Sequence, residues 1–509
     1  MREMTQVSYK SQRQNTYSNK YVKSLGLFIY RDIGKMGNTE KANYVQGGVR
    51  EMLAIAVPMV ISNACDTVMV FTDRLFLSRL NPELMNASMG GGLTVFMMMS
   101  FFLGLTGYTT ALSAQYLGAR RKRLCAVVLT QAVIISLMAY PLILLCRPLG
   151  VILFEKMGVN QAQLGPQKVF FNILMLGVII SLLRNCLSSF FSGIGRTGVV
   201  MVATCAAMII NVVLNYVLIF GKFGFPSLGI RGAAYATITA GVCGLMILSV
   251  AYFRKNIRAE FHIKESLRFD TIVFKKLLHF GSSVGLEMFL NILAFNGIVL
   301  LFHSYGPATA TAATIVFNWD MVSFVPLIGI EIGITSLVGR CMGAQRPEIA
   351  HQTVMSGLKV GLLYSTVILV LFLGFPGLLV GIFHPQVPDA IFAAAVPTAV
   401  FMVRFASFYV LVEAMLIVFI GALRGAGDTF WAMRMSVAIH WVMVFVVWFM
   451  LRKLGASAEA TWTLMVLQFL LFSGFVFMRY KEGKWKHIRV VYPEPVMAPE
   501  PVFHETRDL

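Results

Sequence analysis

The chain has 509 residues, of which 57% are hydrophobic and 13% charged, with a formal net charge of +19 and a mean hydropathy of +0.73. A water-soluble protein of this length carries far more charge on its surface, so the composition points to the membrane. The surplus of Lys and Arg would suit nucleic acid, but it lies in loops between apolar segments, where it reads as topology and attraction to anionic lipid. The first 47 residues are polar and basic, with no early apolar core, and so read as a cytoplasmic tail without a cleavable signal peptide. From residue 48 onward, apolar runs recur that are long enough to cross about 30 Å of hydrocarbon. Twelve spans are predicted, near 52–77, 86–112, 124–146, 169–193, 199–221, 232–253, 277–303, 308–337, 353–381, 390–420, 431–451 and 456–478. They are continuous apolar stretches rather than short alternating segments, which predicts helices and not a barrel.

The longest polar segment between spans runs from Phe253 to Lys276 and divides the spans six and six. It predicts an N-lobe over 48–253, a cytoplasmic linker over 254–276 and a C-lobe over 277–479. Residues 480–509 pass from a basic stretch to a Pro- and Glu-rich end and read as a second cytoplasmic tail. Small-residue signatures recur between the halves. Gly118-Ala119 returns as Gly343-Ala344, and Gly193-Ile194-Gly195-Arg196-Thr197 returns as Gly425-Ala426-Gly427-Asp428-Thr429. With an even number of spans in each half, the repeats are parallel, as in transporters whose substrate site lies between two halves. Loops on the side of the termini carry roughly twice as many Lys and Arg as the others, which places both termini in the cytoplasm. Arg340, Arg346 and Arg424 are counted among these inner-loop residues. The seven cysteines are odd in number and form no CxxC pair, so they read as apolar packers and not as a disulfide framework or zinc site.

A carboxylate inside a bilayer costs several kcal/mol and needs a reason. Six acids fall in or near spans: Asp66, Asp73, Glu287, Asp320, Glu331 and Glu413. Asp66 and Asp73 are seven apart, close to one helix face. Glu287 and Asn291, and likewise Asn211 and Asn215, stand at i and i+4 on shared faces. Carboxylates beside amide oxygens suit a proton or a hard cation such as Na⁺. The competing reading pairs each acid with an intramembrane base: Arg184, Lys359, Arg404 or His440. Gly90-Gly91-Gly92 is expected to make the start of the second span pliable. Pro58 and Pro326 are expected to interrupt the backbone ladder of the first and eighth spans.

At these residues the chain resembles the multidrug and toxic compound extrusion (MATE) family, over roughly residues 48–480. The resemblance rests on Ile210-Asn211-Val212-Val213-Leu214-Asn215-Tyr216, on Gly229-Ile230-Arg231-Gly232-Ala233-Ala234-Tyr235-Ala236-Thr237 and on Gly421-Ala422-Leu423-Arg424-Gly425-Ala426-Gly427-Asp428-Thr429. Pro58, Asp73, Gln115, Gly118-Ala119, and Gly339 with Gly343-Ala344 fall with them. It implies twelve helices in two six-helix lobes arranged as a V, and export of drugs or metabolites driven by Na⁺ or H⁺. It implies a cation-responsive aspartate at Asp73, joined by Asn211 and Asn215; where some members have a second acid, this chain has Asn215. In the C-lobe the coupling acid of the tenth helix maps onto Glu413. The seventh-helix position falls on Asn291, with Glu287 one turn earlier. Asp66, Asp320 and Glu331 have no place in the family pattern.

The sequence therefore predicts a transporter of small organic, cationic or amphipathic, compounds in the plasma (inner) membrane, working as a monomer among membrane lipids. No cofactor is expected beyond the coupling cation, with Na⁺ at Asp73 or Glu413 as the metal reading. A lipid-linked oligosaccharide flippase would favour a cavity rich in Arg and Lys, which the spans do not supply. No HExxH or GxSxG motif supports an intramembrane enzyme.

Overall fold

Twelve helices long and apolar enough to cross a membrane dominate the computed structural model, which describes residues 45–156, 161–384 and 390–491. In chain order they are α1 (Val49–Ser78), α2 (Glu83–Gly118), α3 (Lys122–Lys156), α4 (Ala162–Gly193), α5 (Thr197–Phe220), α6 (Ile230–Tyr252), α7 (Thr271–His303), α8 (Pro307–Gly343), α9 (Pro347–Gly374), α10 (Ala390–Ala426), α11 (Thr429–Arg452) and α12 (Ala458–Lys481). There is no strand among the described residues. The expected tails lie outside the described residues except for 45–47 and 480–491.

Local chemistry sets the ends of these helices. Asn81 Oδ1 accepts from the Glu83 amide at 2.8 Å and caps the start of α2. Asp270 Oδ1 accepts from the amides of Ile272 and Val273, both at 3.0 Å, and so starts α7. Such caps satisfy amides that the first turn leaves without partners. Gly221 ends α5 in the left-handed conformation, at φ 67°, which costs glycine nothing. Pro58 and Pro326 sit inside α1 and α8, and both helices continue through them.

Because the spans are even in number, α1 begins and α12 stops at the same end of the bundle, here called the base. Contacts between the halves gather there, and they are reciprocal. A side-chain carbon at Gly118 would stand 1.9 Å from the Arg340 carbonyl oxygen, and one at Gly343 would stand 1.9 Å from that of Gln115. A second pair repeats the relation: a Cβ at Gly104 would meet Gly285 Cα at 2.7 Å, and one at Gly329 would meet the Val60 nitrogen at 2.6 Å. Each residue maps onto its counterpart about 225 positions away, as a parallel two-fold repeat requires. Small residues at these crossings let the backbones meet. Polar contacts reinforce the joint: Gln115 Nε2 donates to the Gly425 carbonyl at 2.8 Å, Ser336 Oγ to that of Ser192 at 2.7 Å, and Arg340 pairs with Glu51. Toward the opposite end, the mouth, Val68, Val70 and Phe71 of α1 and Met321 and Val322 of α8 are exposed.

The linker segment holds two short helices, Lys255–Glu260 and Ile263–Ser266, and α7 begins at Thr271. Two expectations need correction. Arg340 and Arg424 do not lie in loops, because α8 and α10 run to 37 residues each and carry both arginines in their last turns. Gly90 and Gly91 do not open a span: they lie within the helix Pro82–Gly107, where a Cβ at Gly90 would meet Gln167 Nε2 at 2.7 Å. They serve close packing against α4. All seven cysteines are free thiols, and Cys65 Sγ and Cys205 Sγ lie 3.4 Å apart. At the base, the segment after α12 returns to the bundle: Val490 and Val491 are buried in the N-lobe's apolar cluster, and Lys276 Nζ donates to the Val490 carbonyl at 2.6 Å.

Candidate functional site

The N-lobe brings three helices to one buried carboxylate. Asp73 of α1 is 8% exposed. Its Oδ1 accepts from Asn215 Nδ2 of α5, and that same nitrogen donates to Asn211 Oδ1 at 3.0 Å. Thr237 Oγ1 of α6 stands 2.9 Å from Asp73 Oδ2 and 3.0 Å from the Ala233 carbonyl. A hydroxyl has one proton, so Thr237 serves one of these acceptors at a time. Asn215 Oδ1 and Asn211 Nδ2 are buried with no hydrogen-bond partner. Leaving a buried amide group unpaired costs about 1–3 kcal/mol, and both atoms stand ready to take a further hydrogen-bond partner beside Asp73. The donor set is oxygen-rich and neutral around a single carboxylate, which fits either a proton or a hard monovalent cation.

The C-lobe holds a second centre, built from α8, α9 and α10. Tyr409 Oη donates to Asp320 Oδ1 at 2.5 Å. Glu413 follows Tyr409 by one turn, is 8% exposed, and its Oε2 has no hydrogen-bond partner. The charge of Asp320 bears on Glu413, and both bear on Tyr409. Tyr364 of α9 feels Glu413 and donates to the Ser323 carbonyl at 3.2 Å. Two neighbouring carboxylates in a low dielectric repel each other when both are charged, so one proton or cation held between them relieves the site.

The remaining acids in the spans are neutralised by arginine. Arg184 Nη1 and Nη2 of α4 both donate to Asp66 Oδ1 at 3.1 Å. Arg424 reaches Glu287 Oε1 at 2.8 Å and also pairs with Glu331. Asp73, Asp320 and Glu413 have no ion pair among the described residues. The structure therefore divides the expected acids into two classes. Asp66 does not join Asp73 despite sharing its helix face, because Arg184 holds it. Glu287 and Glu331 do not join Glu413, because Arg424 holds both. Asn291 Nδ2 donates to Ser436 Oγ of α11 at 2.8 Å and so belongs to neither carboxylate centre. Of the four expected bases, only Arg184 pairs with an acid among the described residues. Lys359 and Arg404 are exposed, and His440 Nδ1 donates to the Ser436 carbonyl at 2.8 Å as a core histidine. Arg424, taken from sequence as a motif residue in a loop, is the counter-ion of the C-lobe.

Four members of these clusters, Thr237, Asp320, Tyr364 and Tyr409, had no assigned role in the sequence. Thr237 appeared only as the last residue of a motif, though its offset of four from Ala233 put it on the inner face of α6. Asp320 had no partner in sight because its neighbours come from α10. The spacing of Tyr409 and Glu413, one turn apart, was the available signal.

The chain matches the MatE family model over residues 58–217 and 284–450. The "Probable multidrug resistance protein NorM" of Thermotoga maritima is 25% identical over 464 residues, covering 88% of this chain and 95% of that protein. Its counterpart of the same description in Bacillus subtilis is 26% identical over 402 residues, covering 78% and 86%. Two solved structures share the fold. One, described as "Reverse polarity of binding pocket suggests different function of a MOP superfamily transporter from Pyrococcus furiosus", superposes with a TM-score of 0.79 at 18% identity, covering 86% of this chain and 96% of that one. The other, "Outward-facing conformation of a multidrug resistance MATE family transporter of the MOP superfamily", gives 0.76 at 19% identity over 86% and 96%.

Proposed function

This chain belongs to the MatE family of transporters, and from that premise we propose that it is a secondary antiporter that exports small organic compounds in exchange for Na⁺ or H⁺. Its cargo is cationic or amphipathic, and it moves by alternating access between the two lobes. The relatives described as multidrug resistance proteins support an organic cargo. The observation that carries the reading is the division of the acids. Each lobe keeps one carboxylate centre with no ion pair among the described residues, Asp73 in one, with the charge of Arg74 acting on it from the next position, and Asp320 with Glu413 in the other, while Asp66, Glu287 and Glu331 are locked in ion pairs. A carboxylate fixed by a guanidinium has little to exchange; one held by hydroxyls and amides can trade a proton or cation for cargo at modest cost.

In the N-lobe, Asp73 would hold the coupling ion with Asn211, Asn215 and Thr237 as its oxygen donors. In the C-lobe, Asp320 and Glu413 would share one proton or take the positive end of the cargo. The base lies in the cytoplasm and both termini with it, following the basic loops. The base contacts then seal the cytoplasmic side, and the mouth end faces outward. An alternating-access carrier must break this seal in each cycle.

The test is efflux of a fluorescent cationic dye from proteoliposomes under an imposed Na⁺ or H⁺ gradient. Movement that depends on one gradient, and stops when it is collapsed, is the expected result. Absence of movement under either gradient would sink the antiporter reading and turn attention to a lipid-linked oligosaccharide as cargo.

A further inference from the structure

The seam between α1 and α5 carries a feature that ion coupling does not use. Ser62 Oγ donates to Thr204 Oγ1 at 2.8 Å, and Asn215 reaches Asp73; both pairs are 142 positions apart. The two helices therefore run side by side in one direction and in one register. Between these contacts, Cys65 Sγ and Cys205 Sγ face each other at 3.4 Å. Both thiols are free. A disulfide needs about 2.05 Å between sulfurs, so closing the gap asks for side-chain rotation and a small shift of helices that already touch on both flanks. Neighbouring Asp66 and Arg184 form an ion pair whose side chains are 40% and 28% exposed. A charged pair that open is costly against hydrocarbon, which favours a hydrated surface beside it; Cys65 is buried and Cys205 half-buried, so a small polar oxidant would arrive from the Asp66 side and reach Cys205 first.

We propose that Cys65 and Cys205 are a redox-responsive pair, closed to a disulfide by a hydroperoxide-class oxidant, and that the bond clamps α1 against α5. One thiol attacks the terminal oxygen of the peroxide; the O–O bond breaks, the sulfur becomes a sulfenic acid, and the other oxygen leaves with the thiol proton as an alcohol, or as water from hydrogen peroxide. The second thiol then attacks that sulfur, the S–S bond forms, and the hydroxyl leaves with the second thiol's proton as water. The two sulfurs together lose two electrons and the peroxide gains them. The clamp sits eight residues before Asp73 on the same helix and on the same seam. The consequence for transport rests on the antiporter reading: a seam that is fixed cannot repack as Asp73 loads and releases its ion.

The experiment uses the full chain in proteoliposomes, treated with hydrogen peroxide and then with dithiothreitol. Peptide mass mapping of the oxidised wild type is expected to join the peptides containing Cys65 and Cys205, with two fewer maleimide-reactive thiols. Gradient-driven dye efflux is expected to fall several-fold on oxidation and to recover on reduction. In Cys65→Ser and Cys205→Ser, efflux should be indifferent to peroxide. Two reactive thiols persisting at Cys65 and Cys205 after oxidation would overturn the pair. A bond that forms without changing wild-type efflux would overturn the clamp. The mapping does not depend on transport, so a protein that never moves dye contradicts the antiporter reading alone.

Discussion

Replacing Arg424 with alanine should destabilise the protein by on the order of 3–5 kcal/mol, because it leaves two buried carboxylates without a counter-charge. Glu287 is 1% exposed and lies 2.8 Å from the guanidinium, and the side chain of Glu331 is 12% exposed on the other nitrogen. The three residues come from α7, α8 and α10, so their ion pairs tie together the core of the C-lobe. Glu287 Oε2 is already without a hydrogen-bond partner, which leaves no spare donor to take over. Thermal unfolding in detergent micelles checks this: Arg424→Ala should melt well below the wild type. Adding Glu287→Gln and Glu331→Gln should restore part of the loss by removing the stranded charges. An Arg424→Ala protein that melts with the wild type would show that the acids find other partners.

Gly343→Ala should break the seal at the base. The added carbon would stand 1.9 Å from the Gln115 carbonyl oxygen and 2.7 Å from its carbon. Both are backbone atoms of a packed helix, so no side chain can swing aside and the lobes must separate. Spin labels at the exposed positions Arg120 and Gln345 should report a longer distance in Gly343→Ala than in the wild-type background. Gradient-driven efflux should drop about tenfold or more, the effect of ~1.4 kcal/mol of bias between two states. Gly118→Ala should do the same through the Arg340 carbonyl oxygen, because the two contacts are mirror images in the repeat. Unchanged label distances in both variants would contradict the reciprocal packing.

The helices were legible because a bilayer demands long apolar runs, and all twelve spans stand near their expected positions. Their ends were less legible: α8 and α10 continue past the apolar run through Arg340 and Arg424, which sequence takes for loop residues because they are charged. Glu51 supplies the missing reason for Arg340, and Glu287 with Glu331 for Arg424. Asp73 with Asn211 and Asn215 was legible from i, i+4 spacing and from family resemblance. The separation of Asp66 from Asp73 was not, since it depends on Arg184 arriving from α4. Asp320 was likewise silent until α10 brought Tyr409 beside it. Spacing shows which residues share a helix face; it does not show which helix stands opposite, and partners decide whether an acid is locked or free.

The central claim is that Asp73 and Glu413 couple transport because no ion pair holds them. The most direct measurement is gradient-driven dye efflux in Asp73→Asn and Glu413→Gln, with Asp66→Asn as the arginine-paired comparison, each at wild-type abundance in proteoliposomes. Loss of gradient dependence in the first two, with Asp66→Asn retaining it, is the predicted result. Wild-type coupling in both Asp73→Asn and Glu413→Gln would contradict the account.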